Sequence, residues 1–295
     1  MKVSKNTSKK QSAQVQMIVA MVIFGTIGVF VRNISLSSGE IALFRAVIAI
    51  IAIICFQLVK KHHLKLQDMK GDLCLLILSG VAMAFNWILL FQGYTYTSIS
   101  IATLSYYFAP VIVTIVSPIL FRERLTIRQV ICFVMATFGL VLIMDIGSMQ
   151  SGSRDFIGIL LGLGAATLYA FVVLINKKIK KVSGMDRTIC QFGAAIIVLI
   201  PYVLLTSGIH ITELPISGFI NLLVLGLVHT GVAYCIYFSS VKNLPGQKVA
   251  ILSYIDPLVA IIVSVLLLSE KISITQIIGG FIILGFTLWN ELGKS

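Results

Sequence analysis

Charge is scarce in this chain. Of its 295 residues, 12% are charged and only 11 are acidic, whereas a soluble domain carries about 25% charged residues. That shortfall excludes a water-soluble domain with a polar surface wrapped around one core. Six prolines leave most apolar runs free to continue as helix. The five cysteines, Cys55, Cys74, Cys132, Cys190 and Cys235, stand alone without CxxC spacing. They imply neither a disulfide framework nor a metal site and read as small core hydrophobes. The chain also lacks a GxSxG elbow, an HExxH pair and a glycine-rich phosphate loop ahead of a basic residue. Hydrolases, zinc proteases and nucleotide enzymes therefore lose their usual signatures, and no cofactor is implied.

What fills the chain is apolar. It is 58% hydrophobic with a mean hydropathy of +1.02, and runs of about 20 such residues are long enough to cross a hydrocarbon layer of roughly 30 Å as helices. The pattern predicts an all-α membrane protein of ten transmembrane helices. They run over Val15–Ile34, Glu40–Val59, Asp72–Gly93, Ser98–Phe121, Ile127–Asp145, Asp155–Ile175, Asp186–Thr206, Ser217–Ser240, Gly246–Leu268 and Ser273–Asn290. Residues 1–14 form a polar, lysine-rich tail expected to be disordered and cytoplasmic. The first span is too long for a signal-peptide core and has no small-residue cleavage site, so it is expected to stay as an uncleaved helix.

Basic residues set the expected orientation. With the N-terminus inside, nineteen of the 23 Lys and Arg fall in the tail or in alternate loops on that side, as the positive-inside rule requires. Both termini are then cytoplasmic, in a bacterial plasma membrane. The net charge of +12 belongs to these short loops, which meet anionic headgroups, so it argues for membrane lipids as neighbours and against nucleic acid.

The chain repeats itself. YYFAPVIVTIVSPILFRERLTIRQVI from Tyr106 aligns without a gap on SYIDPLVAIIVSVLLLSEKISITQII from Ser253, a shift of 147 residues. Tyr107 falls on Tyr254, Pro110 on Pro257, Ser117 on Ser264, Glu123 on Glu270 and Gln129 on Gln276. Residues 15–145 and 155–290 are thus two five-helix repeats, and an odd number of spans in each predicts that the second is inverted around a central cavity. Inverted repeats are an architecture of secondary transporters, which bind substrate near the midplane.

These features resemble the EamA branch of the drug/metabolite transporter superfamily. The resemblance rests on the ten spans, the repeat, the stretches Pro110–Glu123 and Pro257–Glu270 that end each fourth helix, the Phe24-Gly25 pair and Arg45 early in the second span. It covers nearly the whole chain. It implies cytoplasmic termini, helices of both halves around a substrate cavity, and movement of amino acids, nucleosides, sugars or related metabolites, often outward.

Candidate site residues follow from depth. Asp256 lies eight residues beyond Lys248, about 12 Å and close to halfway across at 1.5 Å per residue. A carboxylate there is a functional-site hypothesis by default. It shares a small, polar helical face with Ser253, Ala260 and Ser264, which either lines a cavity or lets helices approach closely. His229 is some 18 Å into the eighth span, on a face expected to include Gly226, Ala233 and Tyr237. It either exchanges protons beside Asp256 or makes one bond between helices. Asn86 and its neighbour Trp87 sit at similar depth; the amide either recognises a substrate or ties two helices. Tyr106, Tyr107, Tyr254 and Tyr169 offer flat walls with hydroxyl tips. Arg45, about 8 Å below the outer edge, either holds a carboxylate or snorkels outward to pair with Glu40. Pro110 and Pro257 are symmetric flexing points. Gly25 with Gly28, and Gly158 with Gly162, allow close helix contact, while Glu123 and Glu270 look like interface anchors.

The expected function is secondary transport of a small-molecule substrate by a monomer or homodimer. A channel-like or structural membrane protein is the alternative, and an intramembrane enzyme is the weakest.

Overall fold

The computed structural model describes residues 2–59, 69–96, 102, 105–122, 125–143, 153–268 and 274–292. Glu123, Arg124, Glu270 and Lys271 lie outside these described residues, as does the side chain of Ser264. Regular structure among the described residues is entirely helical. The helices are α1 (Lys2–Gly25), α2 (Ile27–Val31), α3 (Ser38–Val59), α4 (Leu73–Tyr96), α5 (Ala109–Phe121), α6 (Ile127–Ile143), α7 (Ser153–Lys178) and α8 (Gly184–Thr206). There follow α9 (Ile216–Val224), a π-helix (Leu225–Val232), α10 (Ala233–Val241), α11 (Gly246–Ser253), α12 (Ile255–Leu268) and α13 (Ile274–Leu292). Six segments are long and apolar enough to cross a membrane, and three further apolar helices are shorter. α1 begins at Lys2, so the segment read from the sequence as a disordered tail is helical in the structure.

Several apolar runs that look continuous in sequence are interrupted. α1 stops at Gly25 because Thr26 closes a tight turn, its amide and hydroxyl both donating to the Ile23 carbonyl at 3.1 and 2.7 Å. α11 stops at Tyr254, whose amide reaches back only three residues to Ile251, and Pro257 cannot supply the donor that the Ser253 carbonyl would otherwise receive. The first repeat does the same at the same register. Phe108 bonds Ser105 three residues back, Pro110 is in the opening turn of α5, and Tyr106 loses its donor. The two prolines therefore stand just inside new helices.

Packing between the halves is reciprocal. α4 packs on α7 while α10 packs on α1; α1 packs on α12 while α7 packs on α5; α4 meets α8 while the π-helix meets α3. α3–α8, α5–α11 and α6–α13 join elements holding the same place in each half. Glycine allows the closest of these approaches. A Cβ on Gly80 of α4 would lie 2.2 Å from the Gln191 carbonyl of α8, and one on Gly162 of α7 would lie 2.7 Å from the Ala102 carbonyl. Gly28, expected to share such a contact with Gly25, has nothing within 4 Å of an added Cβ.

A buried polar tie closes one end. Arg187 is read from the sequence as a cytoplasmic loop charge, yet it is fully buried in α8. Its Nη1 donates to the Asn176 carbonyl at 2.9 Å and its Nη2 to the Ile179 carbonyl at 2.7 Å. These are carbonyls at the end of α7, which have no intrahelical donor. Asn176 and Gln191 both donate to Ser79 of α4, at 3.0 and 2.9 Å, so the same cluster joins α4, α7 and α8.

Two outcomes follow for protein purified in detergent. Gly80→Ala lowers stability by about 1–3 kcal/mol, seen as a lower thermal midpoint, whereas Gly193→Ala, with open space at its Cβ, leaves the midpoint in place. Arg187→Met strips the end of α7 of its donors and costs about 2–4 kcal/mol. An unchanged midpoint in that variant would show that the tie contributes nothing.

Candidate functional site

Asp256 occupies the first turn of α12, immediately after the break at Tyr254. An interrupted helix presents unpaired amides and the positive end of its dipole, which is where a carboxylate is best tolerated. Asp256 is half-buried, and its carboxylate accepts a hydrogen bond from the Tyr107 hydroxyl of the first repeat. Its backbone carbonyl lies against α1, where a Cβ on Gly25 would approach within 2.6 Å. The equivalent position in the first repeat, 147 residues earlier, is Ala109, buried and apolar. Tyr254, the counterpart of Tyr107, is fully buried and shares a 2.7 Å hydrogen bond with Thr137 of α6. Each break-point tyrosine thus reaches into the opposite half.

Beside this point the described residues fill the centre with rings. Tyr169 stacks on Tyr237 with centroids 6.3 Å apart and donates to its hydroxyl at 2.9 Å. Tyr106 lies 5.4 Å from Tyr169 and 6.0 Å from Tyr107. Phe24 approaches Tyr234 at 5.0 Å, and Phe192 approaches it at 5.3 Å. Trp87 closes the far side of the cluster, 5.6 Å from Phe192 and 6.1 Å from Tyr234.

Arg45 borders this cluster. It is 3% exposed, and its guanidinium lies 4.3 Å above the Trp87 ring and 5.9 Å from that of Phe91. The Tyr234 hydroxyl accepts from both Arg45 and the Trp87 indole. The side chain turns into the protein, so the expected outward snorkelling does not occur. The Glu40 carboxylate instead accepts from the Ser37 amide at 3.1 Å and the His210 amide at 2.6 Å, and so clasps two loops.

His229 is buried in the π-helix. Its Nε2 shares a 2.8 Å hydrogen bond with Thr26 at the α1–α2 break, and Phe30 lies 4.8 Å from the ring. A Cβ on Gly226 would meet Ile48 of α3, whereas Tyr237, like His229, lies against the end of α1, its ring 5.9 Å from that of Phe24. His229 and Asp256 meet α1 at adjacent residues, Thr26 and Gly25, and the described contacts link them through that helix.

The remaining candidates have structural partners. Asn86 is buried and donates to the Ala165 carbonyl at 2.6 Å, tying α4 to α7. Ser253 donates back to Val249 within α11 at 2.8 Å. Tyr234, where the rings meet Arg45, is absent from the residues singled out by sequence; its only sequence signal is the 234/237 tyrosine pair one turn apart. Among the described residues no His, Cys, Asp and Glu cluster could hold a metal ion.

Comparison with known proteins agrees with this architecture. A solved crystal structure superposes with a TM-score of 0.84 over 95% of this chain and 98% of that one, at 16% identity; this shows the shared fold. An uncharacterized transporter of Bacillus subtilis (strain 168), YxxF, is 29% identical and covers 98% of this chain and 94% of its own length. A "Probable amino-acid metabolite efflux pump" of Escherichia coli (strain K12) is 30% identical across 59% of this chain and 60% of its own. The model of the EamA-like transporter family matches twice, at residues 11–145 and 156–290. With both repeats matched and six apolar helices able to cross a bilayer, this chain is an integral membrane protein that belongs to the EamA-like transporter family.

Proposed function

We propose that the protein is a secondary transporter that exports small metabolites such as amino acids by alternating access, driven by an ion gradient or by exchange. In this reading ten helices cross the bacterial plasma membrane as two inverted five-helix repeats, with both termini cytoplasmic. The reciprocal packing of the halves and the one-sided distribution of Lys and Arg support that arrangement. The Escherichia coli relative, named for amino-acid metabolite efflux, supports the cargo class and the direction.

One observation carries the proposal. Asp256, an acid at an interrupted helix, is bonded across the repeat boundary by Tyr107, beside an aromatic cluster bordered by the buried cation Arg45. Broken helices at membrane depth are tolerated where they are buried in protein or line a cavity, and half-helix ends form the binding sites of many secondary transporters. When the halves part, Tyr107 leaves Asp256 and the rings separate, opening a route with a flat apolar wall, an anionic end and a cationic end. Asp256 then takes up or releases the coupling proton, with His229 as the second protonatable group along α1.

The test uses proteoliposomes and a panel of radiolabelled amino acids. Saturable flux is expected, and conductance in its place would overturn the proposal. Asp256→Asn keeps the fold and abolishes gradient-driven accumulation while exchange of labelled for unlabelled solute continues; undiminished accumulation would remove Asp256 from the mechanism. Arg45→Lys, which retains charge but loses the planar fork, weakens carboxylated substrates several-fold more than neutral analogues. Equal weakening of both would leave Arg45 a packing role only.

A further inference from the structure

The exposed side of α13 carries a feature that the transport proposal does not use. Ile278, Phe281, Ile282, Gly285, Phe286 and Trp289 line a shallow, open cleft of about 520 Å³ along this one helix. Phe281, Gly285 and Trp289 succeed one another at four-residue intervals, so they lie on one helical face. A Cβ at Gly285 would meet nothing within 4 Å, which leaves a notch between two ring walls. From Ile278 to Trp289 the cleft runs about 16 Å at 1.5 Å per residue, close to half of a hydrocarbon core of roughly 30 Å. It therefore has the length of one leaflet's acyl chains.

The Trp289 end of the cleft is cationic. Arg128, in the first turn of α6, stacks 4.8 Å above the Trp289 ring and donates to its backbone carbonyl. Its Nε is buried and has no hydrogen-bond partner among the described residues, while the side chain as a whole is part-exposed. The first turn of α6 contains no acid, so the helix dipole adds positive potential to the guanidinium. Arg122, in the turn between α5 and α6, is exposed. An apolar bed one leaflet long that ends at an interfacial tryptophan and an arginine has the complementarity of a phospholipid with an anionic headgroup.

We propose that this cleft is a specific binding site for an anionic phospholipid, one acyl chain lying in the Gly285 notch and the headgroup phosphate accepting from Arg128. Assignment to the cytoplasmic leaflet rests on the orientation proposed above; the site itself does not. The occupant is a lipid and not free phosphate, because most of the surface offered is apolar.

Thermal unfolding of the full chain in neutral detergent tests this, with added phosphatidylglycerol, phosphatidylcholine of matched chains, or inorganic phosphate. Phosphatidylglycerol is expected to raise the midpoint about 2–4 °C more than phosphatidylcholine does, and phosphate is expected to have no effect. Arg128→Gln should bring the two lipids level, and Gly285→Leu, which fills the notch, should remove the response to both. Equal shifts in the wild type, a shift with phosphate alone, or variants that keep the preference would each overturn the site. So would disulfide-linked dimers of a Gly285→Cys variant, which would place a second copy in the cleft. If a variant melts early in every condition, native mass spectrometry of retained lipid decides: unchanged retention of phosphatidylglycerol overturns the proposal, and its loss supports it. The readout needs no substrate, so its failure would leave the transport proposal intact, and loss of transport in Asp256→Asn would leave this one intact.

Discussion

A backbone group that loses its helical partner must find another or be shielded, and this chain creates that situation at matched places in its two halves. Pro110 and Pro257 deprive the Tyr106 and Ser253 carbonyls of their donors. The helices end there and restart within a few residues. Such breaks survive only if neighbouring helices shield them. Reciprocal packing supplies the shield: α11 lies against α5, and α12 against α1. The break at Thr26 sits beside the second of these contacts, with Gly25 set directly on the Asp256 carbonyl. Three interruptions therefore converge near the centre, and the fold's polar chemistry collects around them.

The duplication is symmetric in backbone and asymmetric in charge. Both break-point tyrosines cross to the other half, but Tyr107 meets a carboxylate and Tyr254 meets a hydroxyl. The equivalents of Asp256 and Arg45 are Ala109 in one half and, near the same place early in the second-half helix, Gln191 in the other. Gln191 has been turned into the Ser79–Asn176 tie. One copy of each site group has thus become structural, which leaves a single acid and a single cation beside one aromatic cluster. In the transporter proposed above, a one-fold site within a two-fold shell would suit a solute with two unlike ends.

Much of this is legible in the chain itself, since depth and register depend only on counting. Hydropathy separates the apolar runs, and the 147-residue offset pairs Tyr107 with Tyr254 and Pro110 with Pro257. The chemical singularity of Asp256 stands out against its surroundings. What counting misses is any feature decided by a neighbour. The π-helix at Leu225–Val232, in which His229 meets Thr26, is a feature no period of 3.6 anticipates. Tyr234 looks like ordinary aromatic filler until Arg45, Trp87, Phe24 and Phe192 are seen to close on it. Asn86 reads as a recognition group by depth, while in the fold its amide already serves the Ala165 carbonyl.

The arginines make the same point about charge. Arg128 and Arg187 lie within the first turns of apolar helices and Arg45 about two turns into another. In the fold, Arg45 stacks on Trp87 deep in the protein, Arg128 lies over the exposed Trp289, and Arg187 is spent on the carbonyls that end α7. What separates them is the set of unpaired acceptors each finds. Where the protein provides those acceptors, as for Arg187, the cation is structural. Arg45 and Arg128 lie instead over aromatic faces, with one acceptor beside each: the Tyr234 hydroxyl for Arg45 and the Trp289 carbonyl for Arg128. Buried charge is thus held here in two ways, by the carbonyls that end a helix or by an aromatic face with an acceptor beside it.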